Sequence, residues 1–149
     1  MDDLISCRAS WILESVVRED MGHIYPYLDR FTAHLGKVRR DSAVRPMAKI
    51  SELLMQAYFS KAPNQSQQSV SIQQLEKITT ACFDWLIGEH KVAAKAYSIH
   101  SLLLLGRKFD WIHLELQLIL EQNYATGSAA HKAPARMTLK KIRGAAINK

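Results

Sequence analysis

Apolar residues recur along most of this chain at spacings of three and four residues, which place them on one face of an α-helix. Polar stretches and glycines separate the apolar segments. This pattern predicts an all-α protein with seven helices, at about residues 6–20, 24–36, 41–60, 71–87, 89–105, 110–123 and 128–143.

The segment from Ile112 to Leu118 departs from this pattern, because its apolar and polar residues alternate as in a β-strand. Its leucine, glutamate and glutamine residues favour a helix, however, and β-branched residues are few. Wound as a helix, the segment has one apolar face with Ile112 and Leu116 and another with Trp111, Leu114 and Leu118. We therefore expect a helix that is covered on both faces, as in the interior of a stack.

Local signals mark several helix ends. Ser71 and Gln74 have the spacing of a capping box, and Pro26 suits the first turn of a helix. Each of the six glycines follows an apolar segment, where a helix C-terminus in the left-handed conformation would fall. Residues 61–70 form a low-complexity stretch, from which we expect a flexible loop.

Four short segments share one signature, a basic residue before a small residue or proline near the start of a helical segment. The basic residues are Arg8, Arg45, Lys95 and Lys132, at steps of 37, 50 and 37 residues. Such steps are typical of helical arrays, in which each two-helix unit covers the apolar face of its neighbour. We therefore expect residues 1–149 to form one repeat domain that ends in a basic tail at about 143–149.

Three segments of the chain resemble proteins built from HEAT and armadillo repeats. They are residues 41–50 (DSAVRPMAKI), 81–87 (ACFDWLI) and 91–98 (KVAAKAYS). The first begins with the Asp-x-x-Val-Arg opening of a HEAT second helix, and the set is similar to a group of short bacterial HEAT-like proteins. The resemblance implies a right-handed α-α superhelix whose second helices line a concave surface.

In this arrangement the helix at 6–20 would be the second helix of a two-helix unit, without the first helix that would pack against it. Its apolar face, with Trp11, Ile12 and Val16, would then be poorly covered and is a candidate surface for self-association.

The net charge of +6 comes from the end of the chain, because residues 1–122 contain 14 basic and 14 acidic residues. Residues 123–149 contain six basic residues and no acidic one. Cys7 and Cys82 form no CxxC motif and no Cys/His cluster, so neither a disulfide nor a zinc site is predicted. The N-terminus is acidic, and no apolar stretch is long enough to span a membrane. We expect a cytoplasmic protein without a membrane segment.

The first candidate site is a basic row on the second helices of the array. Its members are Arg8, Arg45, Lys49, Lys95 and Lys132. If the second helices line a concave surface, these residues stack along one groove and attract anions. In the alternative interpretation each base pairs with a nearby acid, such as Arg45 with Asp41, and ties neighbouring repeats together.

A second candidate is the terminal basic stripe formed by Lys132, Arg136, Lys140 and Arg143, which share one face of the helix predicted at 128–143. The stripe could bind phosphate groups. It could equally be the polar outer face that the last helix of an array needs for solubility.

No motif of the sequence indicates catalysis. Phe-Asp-Trp occurs twice, ending at Trp85 and Trp111, and both tryptophans fit core positions. The histidines form no metal-binding pair, and no phosphate loop or nucleophile motif occurs, so no metal or cofactor is predicted. An enzyme would have only Asp84 and His100 as candidate acid and base.

The sequence thus predicts a non-enzymatic interaction module that binds a protein or peptide, preferably an acidic one, on the basic row. The alternative is a nucleic-acid-binding protein related to HEAT-like DNA alkylation-repair proteins, which would add Arg136, Lys140 and Arg143 to the same surface.

Overall fold

The computed structural model describes the backbone of residues 3–38 and 41–126 and the side chains of residues 8–38 and 42–122. These residues form seven α-helices and two single-turn 3-10 helices, and no β-strand occurs among them. The α-helices are α1 (Asp3–Glu19), α2 (Leu28–Leu35), α3 (Asp41–Tyr58), α4 (Gln65–Ser69), α5 (Ile72–Ile87), α6 (Val92–Leu105) and α7 (Asp110–Thr126). The 3-10 helices are Met21–His23 and Tyr25–Tyr27.

The described residues contain as many α-helices as the sequence predicts for the whole chain, but they are not the same seven helices. The helix predicted at 128–143 lies outside the described residues, and α4 was not predicted. The helix predicted at 24–36 begins only at Leu28, because the two 3-10 turns take its place up to Tyr27. Asp20 caps the first turn through the backbone N–H of Gly22, and Pro26 is at the start of the second.

The stretch predicted as a flexible loop, residues 61–70, contains helix α4. Asn64 and Gln67 form a capping box at its start, in which each side chain bonds the backbone of the other residue. Ser66 is buried and its hydroxyl shares a hydrogen bond with that of Tyr25, while Val70 joins the core. Polar composition therefore did not prevent this segment from packing.

Glycines do follow the helices, but not in the predicted conformation. Gly36, Gly88 and Gly106 are the C-cap residues of α2, α5 and α6. No glycine among the described residues has a positive φ, so the prediction of left-handed caps is wrong for them.

The helices pack as two layers. In the first layer α3 lies between α1 and α6. In the second layer α5 contacts α2, and Phe83 of α5 stacks on Trp111 of α7 with ring centroids 6.0 Å apart. The layers meet where α6 packs against α5 and α7, around a core that includes Leu54, Ile78 and Leu102.

Helices α3 and α6 run parallel. Lys49 contacts Tyr97, and Glu52 contacts His100, and each pair is separated by 48 residues. A constant separation along two helices means that both chains advance in the same direction. The first turn of α6 is therefore level with Arg45 on α3.

Helix α3 contains a proline, Pro46, which is buried. Proline has no amide hydrogen, so α3 lacks the backbone bond to the carbonyl of Ser42, four residues earlier. The indole N–H of Trp11 on α1 donates to that carbonyl at 2.6 Å. A contact between neighbouring helices thus satisfies an acceptor that the proline leaves open.

Candidate functional site

Charge is distributed unequally between the two layers. Helices α2, α5 and α7 carry two basic and six acidic residues, whereas α1, α3 and α6 carry five of each. Helix α6 has Lys95 and no acidic residue. An anionic partner would therefore be repelled by the second layer and accepted more readily by the first.

The basic row lies on consecutive helices of the first layer. Arg8 on α1 is exposed, and Arg45 on α3 and Lys95 on α6 are half-buried. Neither Arg45 nor Lys95 forms an ion pair with a residue whose side chain is described. Lys132 lies outside the described residues, as do the other members of the terminal basic stripe, Arg136, Lys140 and Arg143.

Lys49, the remaining member of the basic row, has its charge neutralised by a neighbouring carboxylate. Its ammonium group donates to Oε1 of Glu52 at 2.6 Å and lies 4.7 Å from the centre of the Tyr97 ring. The other oxygen of Glu52 accepts a hydrogen bond from Nδ1 of His100 at 3.1 Å. These four residues, the polar cluster, join α3 to α6.

The polar cluster is best understood as a structural contact. The Glu52 side chain is only 8 % exposed, so its charge needs the partners that Lys49 and His100 supply. Sequence analysis missed Glu52, although its spacing of three residues from Lys49 is that of a helical ion pair. For Lys49 the structure thus matches the interpretation in which bases tie neighbouring helices together.

A second cationic group lies around the first turn of α6. Arg45 lies on α3 at the height of this turn. Tyr97 marks the side of α6 that faces α3, because it contacts Lys49. Lys95 precedes Tyr97 by two residues, which is about 160° around the helix, so Lys95 faces away from α3. Lys91 is the N-cap residue, is exposed and makes no side-chain capping bond. We call Arg45, Lys91 and Lys95 the α6 basic corner. Glu89, in the turn before α6, is the acidic residue closest to it along the chain.

Unpaired backbone N–H groups at the start of α6 add to this positive potential. The first N–H groups of an α-helix have no acceptor within the helix, and the helix dipole gives that end a partial positive charge. A carboxylate at this position would accept from the backbone beside Lys91, with Arg45 and Lys95 on opposite sides of the turn.

The candidate acid and base, Asp84 and His100, lie in different parts of the molecule. Asp84 is exposed on α5 and lines a cavity of about 40 Å³ with Trp85 and His90, whereas His100 bonds Glu52. No group of three or more His, Cys, Asp or Glu side chains in the described part of the chain is placed to hold a metal ion.

Cys82 is buried in the core and is not suited to act as a nucleophile. Burial raises the pKa of its thiol to about 12, and the nearby Ser101 side chain lowers it only in part. The thiol therefore stays protonated at neutral pH, and only the thiolate is an effective nucleophile.

Two apolar surfaces are exposed at opposite sides of the molecule. On α1, Trp11 and Ile12 are 55 % and 65 % exposed, as expected for a helix whose apolar face lacks a partner, whereas Val16 is half-buried. Self-association through this face stays a prediction. On α7, Trp111, Leu114 and Leu118 are all more than half exposed. The expectation that α7 is covered on both faces, with Trp111 in the core, is therefore wrong.

No helix in the described residues combines the length and apolar character needed to cross a bilayer. Comparison of the chain with known protein families, with curated proteins and with solved structures finds no match. The likeness to HEAT-type repeats therefore depends on the sequence segments quoted above.

Proposed function

We propose that this chain is a non-enzymatic helical-repeat module that binds an acidic segment of a partner protein at the α6 basic corner. The observation that carries the proposal is the combination of Arg45 and Lys95, which form no ion pair with a described side chain, with the uncapped start of a helix that contains no acid. An acidic side chain of the partner would cap α6 and pair with these cations.

The layered packing supports a repeat architecture. Helices α1, α3 and α6 are second helices of successive units, and α2, α5 and α7 are first helices, as the resemblance to HEAT-type repeats implies. In such an array the units coil into a superhelix, and the second helices face the concave side. Arg8 would extend the binding surface beyond α3.

Apolar contacts of the partner would be made beside this corner. Tyr97 is half-buried next to Lys49, and aromatic side chains of this kind commonly anchor partners at interfaces. Met47, which also follows Arg45 in the repeat signature, is 2 % exposed and is committed to the core. Tyr97 is therefore the anchor that we favour.

Fluorescence anisotropy with a labelled glutamate-rich peptide tests the proposal. The double variant Arg45→Gln/Lys95→Gln should weaken binding about tenfold, because each exposed charge pair contributes up to about 1 kcal/mol. The matched control is Lys77→Gln/Arg107→Gln, which removes one lysine and one exposed arginine elsewhere. Equal weakening by both double variants, or no binding by the wild-type chain at low salt, would refute the site.

A labelled duplex DNA in the same assay tests the alternative function. Phosphate binding weakens steeply with salt, with a logarithmic slope of about −0.9 for each phosphate contact. Tighter binding of DNA than of the peptide at every salt concentration, lost in Arg45→Gln/Lys95→Gln, would replace the protein-binding proposal by nucleic-acid binding.

A further inference from the structure

A cavity of about 280 Å³ lies where α1, the connection that follows it, α2 and α3 meet. Its walls are largely apolar and are formed by Ala9, Ser10, Leu13, Ile24, Phe31 and Met47. The small side chains of Ala9 and Ser10 leave space on the α1 side that a larger residue would fill.

The cavity exists because the connection between α1 and α2 is not a regular helix. The 3-10 turns end at Tyr27, and α2 contains only eight residues. Ile24, between the turns, is 1 % exposed and belongs to the core. The connection therefore holds α2 to the core through Ile24, and the pocket remains between α2 and α1.

Three further lining residues can donate hydrogen bonds. They are Tyr27, Arg30 and His34, which follow one another along the start and the face of α2. All three are exposed, and none of their side chains bonds a residue whose side chain is described. None of the described residues that line the cavity carries a carboxylate. The cavity thus offers the guanidinium group of Arg30 and two further hydrogen-bond donors beside an apolar interior.

This combination selects the chemistry of a ligand. An apolar body would fill the interior, and a carboxylate would match the guanidinium group of Arg30, whose planar donors suit it. The volume is roughly twice that of an engineered apolar cavity that holds benzene, so a chain of about eight carbons is the appropriate size.

We propose that this cavity is a binding site for a small amphipathic carboxylate, a linear fatty acid of about eight carbons, whose carboxylate pairs with Arg30 and whose chain contacts Phe31 and Met47. The site is independent of the α6 basic corner, because it lies between α1 and the second layer and shares none of the corner's residues.

Titration of the full chain with octanoate, followed by amide chemical shifts in NMR, tests the proposal. We expect a Kd on the order of 0.1 mM, the range reached by ligands of this size. The shifts should be largest in residues 9–13 and 24–34. Octanol, which has the same chain without the charge, should bind about tenfold more weakly.

Two variants and one control locate the binding determinants. Arg30→Gln should weaken octanoate about tenfold and leave octanol unchanged, since it removes the cation alone. Ala9→Leu should weaken both ligands at least tenfold by occupying the cavity, and Ala9 is exposed, so the fold should tolerate it. Arg107→Gln, an exposed arginine at the end of α6, should change neither.

Several results would overturn the site. They are the absence of binding at millimolar octanoate, shifts centred on α7 or another exposed apolar face, equal affinity for octanol and octanoate, or an Arg30→Gln effect no larger than that of Arg107→Gln. If Ala9→Leu does not fold, the Arg30→Gln and octanol comparisons still decide, because Arg30 is exposed and its replacement leaves the core unchanged.

Discussion

Helix α3 has two neighbours in its layer, and its contacts with them differ. Toward α6, long side chains meet across the boundary, and the polar cluster joins Lys49 and Glu52 to Tyr97 and His100. Toward α1, two of the residues that line the cavity, Ala9 and Ser10, are small, and the indole of Trp11 donates a hydrogen bond to the Ser42 carbonyl.

The difference shows that membership of one layer does not determine how tightly two helices pack. Helices that pack side by side meet at similar distances, so the side chains between them decide whether the space is filled. Polar side chains with mutual partners fill the α3–α6 boundary. Alanine and serine on α1 leave a cavity beside α3, between α1 and α2.

Thiol reactivity should show the largest contrast, between the packed core that contains Cys82 and the α1 side, where the cavity lies. In a Cys7→Ser background, Cys82 should react with a thiol reagent at pH 8 at least about 1,000-fold more slowly than a cysteine introduced by Ala9→Cys, because only a minute fraction of a thiol with so high a pKa is ionised. Spectrophotometric labelling measures both rates. Comparable rates would show that the centre opens as readily as the α1 side.

The same thiol predicts a loss of stability in alkali. Below pH 9.0 the thiol is protonated in both the folded and the unfolded chain, and above that pH the unfolded chain releases the proton first. The free energy of unfolding contributed by Cys82 should therefore fall as the pH rises from 9 toward 12. Denaturant unfolding of the chain and of Cys82→Ala should show a shallower alkaline decline in the variant.

Loss of the carboxylate from the polar cluster should weaken the contact between α3 and α6. Glu52→Ala removes the shared partner of Lys49 and His100, and we expect a loss of about 2 kcal/mol in the free energy of unfolding. The expected loss is smaller than for a fully buried pair because Lys49 and His100 are partly exposed and can be hydrated. Urea unfolding measures it, and Glu52→Gln, which keeps the volume and one acceptor, should lose less. Equal stability of Glu52→Ala and the wild-type chain would contradict a structural role.

At the contact between α1 and α3, removal of the indole donor should lower the free energy of unfolding by a smaller amount. Trp11→Phe keeps an aromatic ring but leaves the Ser42 carbonyl without the Trp11 N–H, which should cost about 1 kcal/mol. Thermal unfolding detects such a change. Trp111→Phe is the matched control, because its ring can still stack on Phe83, and its effect should stay below about 0.5 kcal/mol.

The smallest effect is expected for an ion pair of α1 that joins an exposed arginine to a mostly buried glutamate. Arg18, 47 % exposed, donates at 3.2 Å to Glu14, 13 % exposed, and Arg18→Gln should lower the free energy of unfolding by less than about 1 kcal/mol. A loss comparable to that of Glu52→Ala would mean that α1 depends on this pair and would remove the contrast between the two sides.

Much of the helical framework could be predicted from the periodicity of leucine and isoleucine. The predicted bounds for α3, α5 and α6 differ from the observed ones by at most three residues, and the capping box of Ser71 and Gln74 is present. The 3-10 turns were missed because Pro26 and Asp20 act over single turns that carry no helical period. Helix α4 was missed because it has no apolar face, although Asn64 and Gln67 have capping-box spacing.

The candidate sites depended on information that periodicity does not contain. Lys49 could be assigned to a helix face, but its neutralisation depends on the register of α3 against α6, which brings His100 to Glu52. Helix α7 has two apolar faces, and composition does not distinguish the one that becomes buried. Ile112 and Leu116 face the core, while Leu114 is 65 % exposed.

The turn between α6 and α7 determines how these two helices are held together. His113 of α7 crosses over Gly106 so that its Nε2–H can donate to the carbonyl of Leu103 at 2.9 Å. A methyl group at residue 106 would occupy the space of that imidazole. The absence of one carbon atom therefore leaves the space through which an imidazole ties α7 to the end of α6, and even an alanine there would displace the ring and break that tie.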